Sequence, residues 1–235
     1  MVKIFISHST KDKQIASLIK TRLEDCGQEA FVAHDDIQVA NPWREEIKRY
    51  LRECDAMVVL VTPESMGSYW VHQEIGSAMI RSIPIIPIKD GTDPLGFLGD
   101  YQAAPLKKKY ARSLNYGDCT KTIVYTLLRD KSCSGKVRRA LIDKVEKSSN
   151  YSQSEFLFDI LADVPMSEYW TPDEVEEILR NGLLNNQVYG AFIVKKYIVR
   201  LINDNRGSLN PAMIEKWGAN YAGKSRGPSI GAHIF

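Results

Sequence analysis

Short apolar runs alternate with amphipathic segments along the first half of the chain. The apolar runs predict strands, and the segments between them repeat apolar residues every three or four positions, which predicts helices. The predicted strands span Lys3 to Ile6, Glu29 to Ala33, Ala56 to Thr62 and Ile83 to Ile88. The predicted helices run from Ile15 to Cys26, from Trp43 to Cys54, through Ser68 to Glu74 and from Thr120 to Arg129. Strands that alternate with helices of this length predict an α/β fold with a parallel sheet and right-handed crossovers.

Helix-starting and turn-forming residues mark the ends of these elements. Ser9 and Asp12 form a capping-box pattern ahead of the first helix, and Gly27 follows its last apolar residue. Pro84 and Pro87 remove two backbone donors from the fourth predicted strand. They favour an edge strand or a bent strand over a regular central one.

The second half of the chain changes to a purely helical pattern. Residues 131–150 are polar and contain a short helical pattern with Lys and Arg. We therefore place a linker there, between a domain at residues 1–130 and a small all-helical domain at residues 151–235. Its irregular tail, Gly223 to Phe235, shows no periodicity.

Four stretches of the second half predict helices by periodicity or by their first residues. Thr171-Pro172-Asp173-Glu174 is a strong helix start, because threonine caps, proline suits the first turn and acids complement the helix dipole. The other predicted helices contain Phe156 to Leu161, Val188 to Leu201 and the residues after Asn210-Pro211.

The composition is that of a soluble globular protein without a phosphate-binding surface. Hydrophobic residues make up 44% of the chain, charged residues 26%, and the formal net charge is only +2. No apolar run reaches membrane-spanning length, and a strand pattern rather than a signal sequence follows Lys3. We expect a cytoplasmic protein that binds neither nucleic acid nor membrane.

The cysteines and histidines do not have the spacing of metal ligands. The cysteines are predicted to be reduced core thiols; they are Cys26, Cys54, Cys119 and Cys133. The four histidines are scattered and have no carboxylate cluster beside them. Neither a GxGxxG fingerprint nor a P-loop is present. We therefore expect no metal and no bound cofactor.

Trp70 and Glu74 are the strongest candidates for chemistry. Residues four apart share a helix face, so an indole and a carboxylate project together just after a strand that is apolar throughout. Such a strand is typical of a parallel sheet, and open α/β folds bind ligands at the carboxyl ends of their strands. An aromatic ring beside an anion suits a cationic, aromatic leaving group.

The ordered series of motifs resembles a bacterial Toll/interleukin-receptor (TIR) domain, a flavodoxin-like module. The resemblance is carried by Ile4-Phe5-Ile6-Ser7-His8-Ser9 with Lys11-Asp12, by Asp35-Asp36-Ile37 leading to Trp43 and Ile47, and by Ser65, Ser68, Trp70 and Glu74. It covers the first half of the chain, and the helical remainder resembles nothing familiar. The chain departs from the pattern at Ala40-Asn41-Pro42-Trp43, where such loops commonly carry a glycine.

The resemblance implies cleavage of NAD between nicotinamide and ribose, with NAD as substrate and Glu74 as the catalytic carboxylate. It assigns substrate-binding roles to Ser7, His8, Ser9, Trp43, Ser68 and Trp70. Other roles stay open for several of them. Ser9 is also a candidate helix cap, Trp43 a packing residue of its helix, and Trp70 either a core anchor or a pocket wall.

Three functions remain open at this point. The first is a glycohydrolase or cyclase that gives nicotinamide and ADP-ribose or a cyclic ADP-ribose isomer, in bacterial antiviral defence of a Thoeris-like kind, with self-association and a downstream effector that senses the product. The second is a non-enzymatic adaptor that pairs with other TIR domains through the loop His34 to Pro42. The third is a nucleoside deoxyribosyltransferase, which also uses a glutamate on a flavodoxin-like sheet.

Overall fold

The computed structural model describes residues 1–32, 43–106, 108–110, 113–114, 116–163 and 169–222. The chain divides into two compact units, Met1–Ala140 and Leu141–Phe235. The predicted loop His34 to Pro42 and the predicted irregular tail lie outside the described residues. The fold is an α/β unit followed by helices, which confirms the predicted fold class.

A parallel five-stranded sheet forms the centre of the first unit. Its strands are β1 (Lys3–Ser7), β2 (Glu29–Val32), β3 (Ala56–Val61), β4 (Ile85–Lys89) and β5 (Ala104–Pro105). The spatial order is β2-β1-β3-β4-β5, and every pairing is parallel. This is the flavodoxin-like strand order, in which the chain reverses its direction of winding between β1 and β3. A separate antiparallel pair consists of β6 (Lys108–Tyr110) and β7 (Ser113–Leu114).

Helices of the first unit follow the strands in the predicted alternation. They are α1 (Lys13–Asp25), α2 (Trp43–Glu53), the short α3 (Pro63–Met66), α4 (Tyr69–Ile80) and α5 (Tyr116–Arg129), with 3-10 turns at Thr10–Asp12 and Gly96–Leu98. Gly27 ends α1 as predicted. Its φ is 76°, which glycine adopts readily, and the N–H groups of Gly27 and Gln28 donate to the oxygens of Glu24 and Leu23.

The buried sheet explains why the apolar runs are strands. Every residue of β3 is buried, which fits a strand covered by helices on both faces. The predicted third strand is one residue too long, because Thr62 is the N-cap of α3. Its hydroxyl accepts from Ser65 N–H at 3.1 Å, while Ser65 Oγ accepts from Thr62 N–H at 2.9 Å. This reciprocal pair turns the chain from strand to helix.

Pro84 lies just before β4 and Pro87 within it, and Pro87 lies where its missing donor does little harm. Pro84 O accepts from Met57 N–H of β3 at 2.9 Å. Because neighbouring residues of a strand direct their polar groups to opposite sides, Pro87 turns its nitrogen away from β3. On that side β5 pairs only with Ile88 and Lys89 in the described sheet. The predicted edge position is therefore corrected: β4 is internal by strand order, but at Pro87 its outer side is an edge.

The second unit is helical, as predicted. Helix α6 (Ser134–Lys147) begins in the first unit and ends in the second, and it fills most of the segment predicted as a linker. It is followed by α7 (Tyr151–Asp163), α8 (Pro172–Leu184), α9 (Asn186–Tyr189), α10 (Phe192–Asn205) and α11 (Pro211–Ala222). Thr171 caps α8 as predicted, and the structure shows that it does so in a capping box with Glu174. The single helix predicted from Val188 to Leu201 is wrong, since Gly190 and Ala191 separate α9 from α10.

Two buried polar contacts hold the helices of the second unit. Trp217 of α11 is fully buried, and its Nε1 donates to Leu179 O of α8 at 3.2 Å. The amide of Asn185 reaches the oxygens that end α6, Val145 O at 3.0 Å and Glu146 O at 2.9 Å. Buried polar groups of this kind are retained where they satisfy backbone carbonyls.

Candidate active site

The carboxyl ends of β1 and β3 meet at the point where strand order reverses, which is where open α/β sheets bind ligands. Ser7 ends β1 and is followed by His8 and Ser9, while Thr62 follows β3. Helix α4 contacts β1, β3 and β4. The sheet therefore brings the predicted site residues of β1 to the same edge as the helix that carries Glu74.

Glu74 and Ser7 form a buried hydrogen-bonded pair at this edge. Ser7 Oγ donates to Glu74 Oε2 at 2.5 Å, across 67 positions of sequence. Ser7 is fully buried, and Glu74 retains 7% exposure. A solvated surface glutamate would be mostly exposed, so the fold places this carboxylate in an environment unusual for its type.

Burial changes the ionisation of Glu74. Removal from water raises the pKa of its carboxyl to about 7, and the hydrogen bond from Ser7 opposes this rise by favouring the anion. Among the described residues no charged side chain contributes to this change in pKa. The carboxyl therefore ionises close to neutral pH, and groups with displaced pKa values cluster at functional sites.

Trp70 is the exposed aromatic wall at the start of α4. Its side chain is 47% exposed, which excludes the core-anchor role left open by the sequence. The guanidinium of Arg44, on α2, lies 5.7 Å from the centre of the Trp70 ring, within the range of a cation–π contact. Ser68 is the N-cap of α4, and its Oγ accepts from Val71 N–H at 3.5 Å.

Ser9 belongs to a buried polar cluster rather than to a helix cap. Ser9 Oγ donates to Asp12 Oδ2 at 2.6 Å, and Thr62 Oγ1 donates to the same oxygen at 2.7 Å. No side-chain cap bond forms at Ser9, so the predicted capping box is wrong. One carboxylate instead joins the loops that follow β1 and β3.

The remaining candidates take different positions. His8 is buried, with Nδ1 3.2 Å from Ile6 O. Trp43 is the first residue of α2, and its side chain lies outside the described part of the chain. His72 of α4 is exposed, and its Nε2 lies 2.9 Å from Met66 O. The cysteines Cys26, Cys54, Cys119 and Cys133 are buried free thiols, as predicted.

Sequence reasoning missed two features of this edge. The Ser7–Glu74 bond and the Thr62–Asp12 bond each join residues at least 50 positions apart. Neither has a local pattern, although Ser7, Thr62 and Glu74 directly follow or end predicted elements and Asp12 lies just before one. Within the described residues no group of three or more His, Cys, Asp or Glu side chains comes together in a metal-binding arrangement.

A family profile of the TIR domain matches residues 4–120. These residues are a TIR domain. The TIR domain contains Ser7, Asp12, Thr62, Trp70 and Glu74, so every contact described above at the sheet edge lies within it. The helices from α6 onward lie outside the match.

The TIR domain is also similar to a solved structure. This is the crystal structure of the TIR domain of the Toll-related receptor TRR-2 from Hydra magnipapillata, at 19% sequence identity and a TM-score of 0.38. The similarity covers 45% of this chain and 84% of that chain. No curated protein matches the chain. In the described part of the chain, no helix has both the length and the apolar character needed to cross a bilayer.

Proposed function

We propose that this TIR domain cleaves the bond between nicotinamide and ribose in NAD, with Glu74 as the catalytic carboxylate. The observation that carries the proposal is the buried Glu74 carboxylate at the switch point of the sheet, with a pKa of about 7. A surface acid on an amphipathic helix would have neither this burial nor this pKa. The position of Glu74 is the one that a ligand site in this fold requires.

The chemistry of NAD needs one anion and no general acid. When the bond between ribose C1′ and the pyridinium nitrogen breaks, its electron pair moves to the nitrogen and nicotinamide leaves as a neutral ring. The ribose becomes an oxocarbenium cation, which the Glu74 anion stabilises across a short distance in a poorly solvated site. Water attack at C1′ with loss of a proton gives ADP-ribose, and attack by an adenine nitrogen gives a cyclic isomer.

The ionisation of Glu74 suits this substrate. At neutral pH about half of a carboxyl group with a pKa near 7 is charged, so the free enzyme is poised between acid and anion. The positive charge of the bound pyridinium favours the anion. The substrate thus increases the fraction of the catalytic form when it binds.

The residues around Glu74 supply binding surface for the substrate. Trp70 presents an exposed ring one helical turn before Glu74, which suits stacking with a flat heterocycle. Ser68 lies beside it, His8 and Ser9 border the end of β1, and Trp43 begins α2. Ser9 donates its hydroxyl hydrogen to Asp12, so towards the substrate it can only accept a hydrogen bond, for example from a ribose hydroxyl.

The biological setting follows from the reaction proposed. An enzyme that consumes NAD either depletes the nucleotide or makes a signal, and both suit bacterial antiviral defence. A cyclic product would act on an effector that senses it. A neighbouring TIR domain that completes the pocket would make activity depend on self-association.

A scaffold that acts only by TIR–TIR association is the second candidate. It is favoured by the exposed apolar side chains of the first unit, with Tyr69 85% and Phe97 70% exposed. Such residues commonly form interfaces. A scaffold, however, has no need for a carboxylate whose burial lowers stability.

Incubation of the purified chain with NAD, and separately with deoxynucleosides, distinguishes the candidates. Release of nicotinamide from NAD supports the glycohydrolase or cyclase. Release of a base from deoxynucleosides supports a deoxyribosyltransferase. If neither reaction occurs, the result supports a scaffold. Glu74→Gln should lower nicotinamide release by about a hundredfold to a thousandfold. Glu53→Gln is the matched control, because Glu53 lies on the surface at the opposite end of the sheet and pairs with Lys3.

A further inference from the structure

We propose that Ser7 is a positioning residue, whose hydroxyl fixes and stabilises the Glu74 carboxylate, rather than a ligand of the substrate. The inference rests on the proposed function of Glu74. It assigns to Ser7 a task different from that of its neighbours His8 and Ser9.

The backbone of Ser7 is held in the sheet by its pairing with β3. Ser7 is the last residue of β1, which lies between β2 and β3 in the sheet and is aligned with Val59 of β3. Its side chain is fully buried. The hydroxyl is therefore presented from a rigid strand, and rigid elements hold catalytic groups more accurately than loops do.

The hydroxyl hydrogen of Ser7 is already in use. A serine hydroxyl carries one hydrogen, and in Ser7 it points to Glu74 Oε2 at 2.5 Å. To donate to a substrate, Ser7 would have to release the carboxylate. Its complete burial also leaves no surface for contact with a ligand.

Glu74 depends on this one donor. In the described part of the chain, Ser7 is the hydrogen-bond partner of Glu74, and no ion pair is formed by its carboxylate. Val71 and Ile75, its neighbours on α4, are apolar and buried. The guanidinium of Arg44 lies over the Trp70 ring, and the pKa of Glu74 is set by burial and by the Ser7 hydrogen bond rather than by this cation.

Two opposing effects determine the charge of Glu74. Burial raises its pKa, and the Ser7 hydrogen bond lowers it. Without the hydroxyl only the effect of burial remains, so the pKa should rise further. A bond from a hydroxyl to a carboxylate corresponds to about one pKa unit.

The test combines a direct titration with kinetics. The pKa of Glu74 is measured by NMR from the signal of its side-chain carboxyl carbon in the native chain, in Ser7→Ala and in Ser7→Thr. The signal is assigned by its absence from the spectrum of Glu74→Gln. Ser65→Ala is the control, since it removes another fully buried serine hydroxyl that bonds to Leu60 O and not to Glu74. The same proteins are assayed for nicotinamide release from NAD between pH 6 and 9, with Glu74→Gln as the blank.

The positioning role predicts a shift along the pH axis. Ser7→Ala should raise the pKa of Glu74 by about one unit, and kcat/KM should fall about fivefold at pH 7 but recover by pH 9. Ser7→Thr keeps the hydroxyl and should have the native pKa of Glu74. Ser65→Ala should also leave the pKa of Glu74 unchanged. A loss equal at every pH, with a raised KM and an unchanged pKa of Glu74, would make Ser7 a substrate ligand and overturn the proposal.

The two proposals fail in different ways. If the native chain releases no nicotinamide, the proposed function fails, and the NMR titration still decides what Ser7 does to Glu74. If nicotinamide is released but the pKa of Glu74 is the same in the native chain and Ser7→Ala, the function stands and the positioning role is wrong.

Discussion

Glu74 is a buried acid that lowers the stability of the protein whenever it is charged. Its pKa is about 7 in the folded chain against an ordinary value of 4.5, so the folded state holds the proton more tightly than the unfolded state. The contribution of Glu74 to stability is then most favourable below pH 4.5 and becomes less favourable as the pH rises towards 7. A shift of this size corresponds to about 3 kcal/mol at pH 8. Such a cost is typical of a residue retained for function.

Glu74→Gln should therefore stabilise the fold at alkaline pH. Glutamine keeps an oxygen that accepts from Ser7 and carries no charge to bury. Urea unfolding should show a gain in the free energy of unfolding that is about 2 kcal/mol larger at pH 8 than at pH 5. Glu53→Gln, at a solvent-exposed ion pair, should show no such pH dependence. An equal effect of Glu74→Gln at both pH values would mean that the carboxyl has an ordinary pKa.

At the residue scale, local spacing predicted part of the site. Trp70 and Glu74 were found because four positions make one helical turn and because a buried strand precedes them. The partner of Glu74 could not be found in this way. Ser7 is 67 residues distant, and only the pairing of β1 with β3 brings it to the same edge as α4. Burial, and with it the pKa, is a property of that assembly.

At the scale of elements, Asn185 joins the end of α6 to the start of α9. Its amide reaches Val145 O, Glu146 O and Ser148 O, and its Oδ1 accepts from Gln187 N–H at 2.9 Å as the cap of α9. One buried side chain thus satisfies the backbone groups at two helix ends. At the end of α6, Ser148 Oγ also donates to Val145 O, at 3.4 Å, while the bonds to Glu146 O and Ser148 O come from Asn185.

Asn185→Ala should destabilise the chain by about 2 to 3 kcal/mol, because it leaves buried carbonyls without a donor and removes a cap. Asn186→Ala changes the exposed neighbour and should have an effect of at most about 0.5 kcal/mol. Both values come from urea unfolding followed by circular dichroism. Equal values for the two variants would contradict the assigned role of Asn185.

Elements were predicted best where a local signal marked their ends. The threonine cap at Thr171 and the glycine at Gly27 were both visible in the sequence and are present in the structure. The break at Gly190 was missed, because the apolar periodicity continues from Val188 through Phe192 and hides it. Ser9 and Asp12 had the sequence of a capping box, but the hydroxyls of Ser9 and Thr62 both donate to the Asp12 carboxylate, and Thr62 is too distant in sequence for a local pattern to reveal it.

At the scale of the whole molecule, a TIR domain precedes a helical unit whose core is its own. The parallel sheet was predicted, because strands that alternate with helices admit few other arrangements, whereas the order of the strands is known only from the structure. The short β5 was not predicted, since two residues carry no periodicity. The helical unit has no motif that connects it to a function.

Self-association should control activity if a neighbouring TIR domain completes the pocket. Nicotinamide release per mole of protein is then expected to rise with protein concentration over the range in which sedimentation shows association. Tyr69→Ala truncates the 85% exposed ring beside Trp70. In this variant both the association and the rise in nicotinamide release should require a higher protein concentration. A constant specific activity across that range, in a protein that sediments as a monomer, would show that one copy suffices.

Mass spectrometry of the products formed from NAD tests the central claim most directly. The native chain and Glu53→Gln should each give nicotinamide together with ADP-ribose or a cyclic isomer, and Glu74→Gln should give at most about a hundredth as much. Equal product from Glu74→Gln, or no nicotinamide from the native chain at any protein concentration, would contradict the assignment of Glu74 as the catalytic carboxylate.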